Sequence, residues 1–495
     1  MKMHAASGLL ALVALSACTV GPEYRQPQMP TPPAYLDAAT RTPATPSTPA
    51  TEAALARWWR LFQDPTLQDL IGQALADNPD LQTAASRVRE ARLQEIVSHS
   101  AEYPNISAAL NVATVHTNEG SSSSSGGSSG GSSGSGSGSG GGGGFALPSA
   151  LNLYAAGFDA TWEVDLFGGT RRAVEAARAN TEAAIWARRD GEVSLSAEVA
   201  NDYLTLRGLQ ARIALEQEQI QRQRDLFTLI RQRRQTGFVT QLNVNQQTGA
   251  VENAEAQIPA LQAQARGEMH ALGVLLGQTP EALEQRLADT AALPPAPPAL
   301  PPGLPSELLR RRPDVREAER RLAASNAQIG EQLASLYPKF NLIAFPAFAN
   351  TSIDQLFSSK SLLGAAVGML TEPLFDAGRR HASVNIAKEE TAQAALAYRK
   401  TVLGALRDVE DSLSRYRFDQ QRHAALARAV AATSNSLSIA QDQYKTGFVT
   451  FINVLQSQYT LLSLQDQLTE SDAQLLTDLV ALYKALGGGW SPGLS

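Results

Sequence analysis

Cysteine, histidine and aromatic residues are scarce in this chain of 495 residues, which has one cysteine, six histidines and 6% aromatic residues. A single cysteine excludes an intramolecular disulfide framework. The histidines show no metal-ligand spacing, so we interpret all of them as surface residues: His4, His99, His116, His270, His381 and His423. Few aromatics with abundant Ala, Gln and Leu favour long, closely packed helices over an enzyme domain with a bulky core.

Phosphate-binding loops and basic faces are also missing. Residues 120–144 are almost entirely Ser and Gly, but they lack a Gly-Lys-Ser/Thr ending, so we predict an exposed loop. Arg310, Arg311 and Arg312 follow one another, and we interpret them as a solvated or ion-paired face at a helix start. Because the net charge is −6 with mixed signs, no nucleic-acid partner is expected. We also expect no cofactor, no metal and no enzymatic activity.

The N-terminus is predicted to be an export signal followed by a tether. An apolar run too short to span a membrane leads to Leu15-Ser16-Ala17-Cys18. This tetrapeptide resembles the bacterial lipoprotein signal, in which the cysteine becomes the lipidated first residue; an incidental cysteine is the alternative. Thr19, where inner-membrane lipoproteins usually carry Asp, favours the outer membrane. We predict a signal peptide at residues 1–17, lipidation of Cys18, and a tether at residues 18–50.

An internal repeat organises the rest of the chain. Thr-Gly-Phe-Val-Thr occurs at residues 236–240 and again, 210 residues later, at 446–450. Upstream the shift between the copies is 234 residues, and it falls to 209 beyond the Ser/Gly segment, so one inserted loop accounts for the difference. We predict a first repeat at residues 51–277, a Pro-rich connection at 278–304, a second repeat at 305–487 and a tail at 488–495.

Each repeat is predicted to contain a helix, two strands and a helical hairpin. From about residue 171 to 235, apolar residues follow a 4-3 spacing without proline, which predicts a helical rod of roughly 100 Å. Gly237 and Gly447 permit the chain to reverse. The predicted hairpins therefore span residues 171–277 and 379–487.

Three polar residues, Asp202, Glu216 and Gln223, interrupt this apolar spacing. A dry seam between helices would carry Leu or Val there. We therefore expect the long helix to border water on one side.

Strands are predicted at residues 103–118, 151–165, 338–350 and 362–373. Apolar and polar residues alternate, most clearly in the second strand. Strands of about ten residues with this period occur in outer-membrane barrels, although a soluble, half-buried hairpin has the same period. Because the edges of an open sheet find no hydrogen-bond partners in lipid, four strands require several chains, and three chains would supply twelve.

Several motifs occur together here: Trp58-Trp59 with Asp64-Pro65, residues 162–168, residues 303–314, and Gly21-Pro22-Glu23-Tyr24 after Cys18. In this combination the chain resembles the outer-membrane efflux lipoproteins related to TolC. The resemblance implies a fold that is mainly α with a membrane β-barrel portion. Its parts would be a trimeric 12-stranded outer-membrane β-barrel, with four strands per chain, continued by a long periplasmic α-helical barrel that is internally duplicated.

The resemblance also implies a function and partners. The chain would be a passive trimeric exit duct for drugs or other toxic small molecules, in contact with outer-membrane lipid. Its partners would be a periplasmic adaptor and, through the adaptor, an inner-membrane proton-driven pump. In the family the hairpin tips dock the adaptor. These tips correspond here to Thr236, Gly237, Phe238, Val239 and Thr240, and to Thr446, Gly447, Phe448, Val449 and Thr450.

Just beyond the tips, the family narrows its tunnel, often with a ring of aspartates. The corresponding periplasmic constriction here is uncharged: Asn243, Gln246, Tyr444, Ile452, Asn453 and Gln456. Ile452 and Gln456 are four residues apart and are expected to share a helix face. We expect Tyr444 to hydrogen-bond across to Asn243, and we expect multivalent cations to block the pore weakly.

Two other functions share parts of this pattern. A periplasmic adaptor carries one helical hairpin set into β domains, whereas this chain has two hairpins and four membrane-like strands. A type I protein secretion duct would have the same fold with a different pump, and lipidation favours small-molecule efflux over it.

Overall fold

The computed structural model describes residues 19–30, 32–33, 35, 55–116, 150–297 and 310–490. The predicted signal peptide, Cys18, most of the tether, the Ser/Gly segment, the end of the Pro-rich connection and residues 491–495 lie outside this range. The chain divides into two compact units. Of the described residues, the sheet unit comprises 19–23, 95–116, 150–175 and 327–387. The helical unit comprises the others.

Helices account for most of the described residues. They are α1 (Pro65–Asp77), α2 (Pro79–Ser100), α3 (Gly169–Gln235), α4 (Gln241–Leu275), α5 (Glu284–Leu287), α6 (Pro313–Ala334), α7 (Arg379–Lys445) and α8 (Phe451–Ala485). Short 3-10 turns lie at Trp58–Phe62, Pro280–Leu283, Ile353–Gln355 and Ser359–Ser361. Helices at equivalent positions in the two predicted repeats have equal lengths, 22 residues for α2 and α6, 67 for α3 and α7, and 35 for α4 and α8. Within the described residues, every helix is either too short or too polar to cross a membrane.

Two polar residues, Asp64 and Asn78, begin helices of the helical unit. The Asp64 carboxylate accepts hydrogen bonds from backbone N–H groups in the first turn of α1, and its second oxygen accepts from the Tyr203 hydroxyl at 2.6 Å. Asn78 accepts from the N–H of Leu81 at 3.0 Å and donates to the carbonyl of Leu275 at 2.9 Å. Each cap thus starts a helix and also ties it to a long helix.

Aromatic side chains anchor the core of the helical unit. The ring of Trp58 stacks on Tyr483 with centroids 5.2 Å apart, and Phe62 meets Trp58 edge-on. All three side chains are fully buried. Because aromatic side chains bury more apolar area than any others, these few residues fasten the short 3-10 turn to α8.

The sheet unit contains one antiparallel sheet in the order β1-β2-β3-β4. The strands are β1 (Asn105–His116), β2 (Ala150–Val164), β3 (Lys339–Asn350) and β4 (Leu362–Thr371). Asn105 pairs with Thr161, Val164 with Phe340, and Phe348 with Leu362. Each strand pairs with its neighbour in sequence order, so β1 and β4 are the edges of the sheet.

The two faces of this sheet differ in polarity. On one face Ser107 donates to Asp159 at 2.6 Å, and Lys339 pairs with Glu163 at 2.9 Å. On the other face apolar side chains are left uncovered, with Ile106 67% and Leu110 72% exposed. An apolar surface of this kind is costly in water and suits contact with lipid.

Candidate functional site

The two Thr-Gly-Phe-Val-Thr segments form the turns between α3 and α4 and between α7 and α8. Gly237 and Gly447 have φ angles of +79° and +82°, which glycine adopts without the penalty that a Cβ would bring. The N–H groups of Phe238 and Phe448 each donate to the carbonyl five residues earlier, at 2.9 Å in both turns. These bonds satisfy the last carbonyls of both long helices and make the turns equivalent.

The side chains around each glycine divide between packing and exposure. Phe238 and Phe448 are 83% and 84% exposed, although phenylalanine is usually buried. The hydroxyls of Thr236 and Thr446 donate to carbonyls three residues earlier, at 3.0 Å. Thr240 and Thr450 stand at the N-caps of α4 and α8, and Val239 and Val449 are half-buried. The turn explains the glycines and threonines but leaves the two phenylalanines free for contact.

A small apolar cluster, which we name the tip cluster, joins the two hairpins behind the turns. Its buried members are Ile230 from α3 and Phe451, Val454 and Leu455 from α8. Partly buried side chains surround it: Leu226, Val239, Val244, Leu437, Ala440 and Tyr444. Because both hairpins contribute, the tip cluster holds the two turns in one fixed arrangement.

Tyr444 belongs to the tip cluster and does not bond to Asn243, so that prediction is wrong. The ring centroids of Tyr444 and Phe451 are 5.6 Å apart, and the Arg233 guanidinium lies 5.4 Å from the Tyr444 ring centre. The buried Tyr444 hydroxyl has no hydrogen-bond partner among the described residues. The Asn243 side chain instead accepts from the backbone N–H and hydroxyl of Thr240, at 3.2 and 2.8 Å. Asn243 therefore takes part in the N-terminal cap of α4 with Thr240, and this local contact replaces the predicted bond to Tyr444.

The other residues of the predicted constriction lie near the starts of α4 and α8. Ile452, Asn453 and Gln456 are exposed, on the side of α8 away from the tip cluster. Asn243 and Gln246 are half-buried. Ile452 and Gln456 are one helical turn apart, so they place an apolar and an amide side chain next to each other on the exposed face of α8.

Polar contacts between α3 and α8 were not predicted from the sequence. Arg212 forms a two-point ion pair with Asp466, at 2.7 and 3.0 Å. Two turns further along α3, the Gln219 amide donates to Gln465 at 2.5 Å. Both pairs link the first hairpin to the second. The interruption of the apolar spacing in α3 was the available signal, but it did not name the partners.

The expectation that these interruptions border water is wrong for Glu216 and Gln223. Glu216 is 6% and Gln223 is 2% exposed within the single chain. The amide of Gln247, which is fully buried, donates to the backbone carbonyl of Gln223 at 3.0 Å. The Oε2 of Glu216 and the Oε1 of Gln223 are themselves buried without a hydrogen-bond partner among the described residues.

Two aspartates of the helical unit have strongly raised pKa values. Burial, with help from Glu268 and Glu198, raises the pKa of Asp202 to about 7. Burial and the neighbouring carboxyl of Asp419 raise the pKa of Asp478 to about 6. Gln474 donates to one oxygen of Asp478 at 2.9 Å. Asp478 is therefore a proton-binding group between α7 and α8 near neutral pH.

In the described part of the chain, no group of three or more His, Cys, Asp or Glu side chains is placed to hold a metal ion. Three of the predicted surface histidines lie beside carboxylates. His423 is 2.6 Å from Asp472, His270 is 3.2 Å from Glu284, and His99 is 3.4 Å from Glu102.

The chain is similar in sequence to known outer-membrane proteins. It matches the family described as outer membrane efflux protein over residues 70–278 and 304–488, which is more than half of its length. It is 30% identical to the outer membrane protein OprJ of Pseudomonas aeruginosa over 490 residues, covering 99% of this chain and 96% of that protein. It is 27% identical to the cation efflux system protein CusC of Escherichia coli, covering 97% of each.

Solved structures show the same fold. The outer-membrane channel OprN superimposes with a TM-score of 0.85 and 32% identity, covering 96% of this chain and 100% of that one. The open state of the MtrE outer membrane channel of Neisseria gonorrhoeae gives a TM-score of 0.77 at 24% identity, which supports the fold alone. These relatives are channels or transport proteins and not enzymes. The chain therefore belongs to the outer membrane efflux protein family, and it is a channel of the outer membrane that extends into the periplasm.

Proposed function

We propose that three copies of this chain assemble into one closed exit duct. The observation that carries the proposal is the open four-stranded sheet, whose edges β1 and β4 have no partner strand within the described chain. Its uncovered apolar face suits lipid, where unpaired backbone groups are costly. Pairing β4 of one copy with β1 of the next would satisfy both edges. Three copies then give twelve strands, and the paired hairpins of each copy form a third of a helical tunnel.

The hairpin tips are the proposed docking site for a periplasmic adaptor. Phe238 and Phe448 supply two exposed aromatic side chains on equivalent turns, and the tip cluster fixes their spacing. Pre-organised aromatic side chains lose little conformational entropy on binding. Through the adaptor, an inner-membrane proton-driven pump would deliver the substrate into the duct.

The start of α8 is the proposed constriction. Ile452, Asn453 and Gln456 are exposed in the single chain, so they are free to face the axis of a trimer. Tyr444 supports this position through packing in the tip cluster. No carboxylate occurs among the constriction residues, and the narrowest ring would therefore be apolar and amide-lined.

Small molecules are the proposed cargo. Relatives carry names that refer to pyoverdine export, cation efflux, antibiotic efflux and toluene efflux. Such varied cargo fits a duct that selects little by itself. Lipidation of Cys18 and the division into two repeats, at residues 51–277 and 305–487, complete the proposal.

The test is drug accumulation in a host that lacks its own outer-membrane efflux duct. The host receives this chain together with a periplasmic adaptor and a proton-driven inner-membrane pump from the same organism. Restored export of a fluorescent drug supports the proposal. No change in accumulation, together with protein secretion driven by a transporter ATPase, contradicts it and supports a type I secretion duct.

A further inference from the structure

Residues 19–23, which begin the described chain, belong to the sheet unit and contact the segment that follows β2. The N–H of Val20 donates to the carbonyl of Phe167 at 3.0 Å, just beyond the end of β2. Thr19 packs on Gly168, whose φ is +82°, and a Cβ at Gly168 would lie 2.7 Å from the Thr19 methyl group. The first residues of the predicted tether are therefore docked and not free.

Arg172, in the first turn of α3, holds this segment. Its Nε donates to the carbonyl of Val20 at 3.2 Å, and its Nη2 donates to Glu23 at 3.1 Å and to the carbonyl of Gly21 at 3.5 Å. Its Nη1 donates to Glu175 at 2.7 Å. The Arg172 side chain is 3% exposed. A guanidinium is always charged and costly to bury, so the buried Arg172 needs these oxygens as hydrogen-bond acceptors. In turn, the same bonds hold residues 20–23 in place.

Gly330, in α6, provides the space for this arrangement. A Cβ at Gly330 would lie 2.8–2.9 Å from the Arg172 side chain, and a Cβ at Gly21 would lie 2.5 Å from the Gly330 Cα. The φ angle of Gly330 is not positive, so its backbone conformation does not itself require glycine. It is therefore the close approach of Arg172 and Gly21 that excludes a larger residue.

The counterparts of these two helices lack both residues: α7 is the counterpart of α3, and α2 is the counterpart of α6. At the shift of 209 residues Arg172 corresponds to His381, and at the shift of 234 residues Gly330 corresponds to Ile96. His381 and Ile96 are both exposed. The chain has two copies of this helix pair but only one N-terminus. The Arg172–Gly330 pair occurs only in the copy that contacts that N-terminus.

We propose that Arg172, seated on Gly330, is a positioning residue for the membrane anchor: it fixes residues 19–23 to the end of the sheet. Cys18 is bonded to Thr19, so an acyl group attached to it starts one residue from the contact with Phe167 and Gly168. The anchor would then act beside the sheet and not at the end of a loose linker. This inference rests on the proposed lipidation of Cys18.

Amide hydrogen exchange of the full-length channel in detergent tests this inference, with residue-level fragmentation of the N-terminal peptide. Protection of the Val20 amide is expected in the unaltered chain. Gly330→Ala and Arg172→Gln should each reduce that protection by roughly tenfold or more, because they open the segment locally. Gly404→Ala is the matched control, since a Cβ on this helical glycine meets no atom within 4 Å.

Peptides from β2 and β3 in the same experiment report whether the sheet remains folded. Loss of Val20 protection with unchanged strand protection supports the proposal. A Val20 amide that exchanges freely in the unaltered chain overturns it, and so does protection that survives both substitutions. If the strands open together with Val20, Arg172 is a structural residue of the sheet and the positioning role is refuted. The mass of the N-terminal peptide shows independently whether Cys18 carries lipid.

Discussion

Arg212 donates hydrogen bonds to both carboxylate oxygens of Asp466, from its Nε at 2.7 Å and from its Nη2 at 3.0 Å. The two residues belong to different hairpins, α3 and α8. Both side chains are about three-quarters buried, at 24% and 27% exposure. Charge-assisted, two-point bonds of this kind are stronger and more directional than ordinary surface ion pairs. The pair therefore sets the register of one hairpin against the other.

Breaking this pair should loosen the helical unit. We expect Arg212→Ala and Asp466→Ala each to lower stability by about 1–2 kcal/mol, with a coupling of about 1 kcal/mol in a double-mutant cycle. Thermal unfolding followed by helical circular dichroism measures this. The control is the exposed pair Arg222 and Glu218 within α3, where Arg222→Ala should cost no more than about 0.5 kcal/mol. Equal losses at both pairs would refute the special role of Arg212.

Asp478 should make the stability of the second hairpin depend on pH. Its pKa is about 6 in the folded chain and 3.8 ordinarily, so the folded state binds the proton more tightly. Its stabilising contribution is complete below about pH 4, decreases as the pH rises, and is lost above about pH 6.

Asp478→Asn should abolish this decrease, because an amide donates to Asp419 and accepts from Gln474 without a charge. At pH 7.5 the variant should be more stable by roughly 1–2 kcal/mol. Thermal midpoints between pH 4 and pH 8 measure the effect. Asp225→Asn, at an exposed position of α3, is the control and should leave the pH profile unchanged. An Asp478→Asn profile parallel to that of the unaltered chain would contradict the assignment.

Substitutions at Phe448 and Phe451, which are three residues apart, should distinguish an effect on adaptor docking from an effect on stability. Phe448 is 84% and Phe451 is 3% exposed. Phe448→Ala should change stability by less than about 0.5 kcal/mol and abolish most drug export, since only the adaptor contact is lost. Phe451→Ala should cost about 3–5 kcal/mol by leaving a cavity in the tip cluster. Export that persists in the Phe238→Ala, Phe448→Ala double variant would exclude these residues from docking.

The proposed constriction is uncharged, so the channel should be insensitive to multivalent cations. In planar bilayers, we expect hexamminecobalt at the periplasmic side to block the unaltered channel weakly, because no carboxylate ring attracts it. Gln456→Asp should add three carboxylates in the trimer and produce block at concentrations at least about tenfold lower. Gln467→Asp, further along α8, serves as the control. Strong block of the unaltered channel would show that the constriction lies elsewhere.

The fold class was predictable because its signals are local. The 4-3 spacing in α3, the alternation in β2 and the glycines at 237 and 447 each depend on a few neighbouring residues. The family match confirms the resemblance. The exposure of Phe238 and Phe448 also followed from the turn, while their role in docking remains a proposal.

The errors concern contacts between distant segments. Periodicity assigned Glu216 to a face of α3, but only the fold shows that this side chain is buried within the chain. Tyr444 and Asn243 both have side chains that can form hydrogen bonds, which suggested that they bond to each other. Asn243 bonds to Thr240 instead, because Thr240 is only three residues away. The Pro-rich composition after Cys18 indicated a tether. It gave no sign that Arg172 and Gly330, far along the chain, hold its first residues.

The central claim is that one chain supplies a third of a closed channel. Native mass spectrometry of the membrane protein, extracted in mild detergent without cross-linking, tests it most directly. We predict a single species with three times the mass of the lipidated mature chain. A stable monomer, or a closed assembly with any other number of copies, would contradict the account.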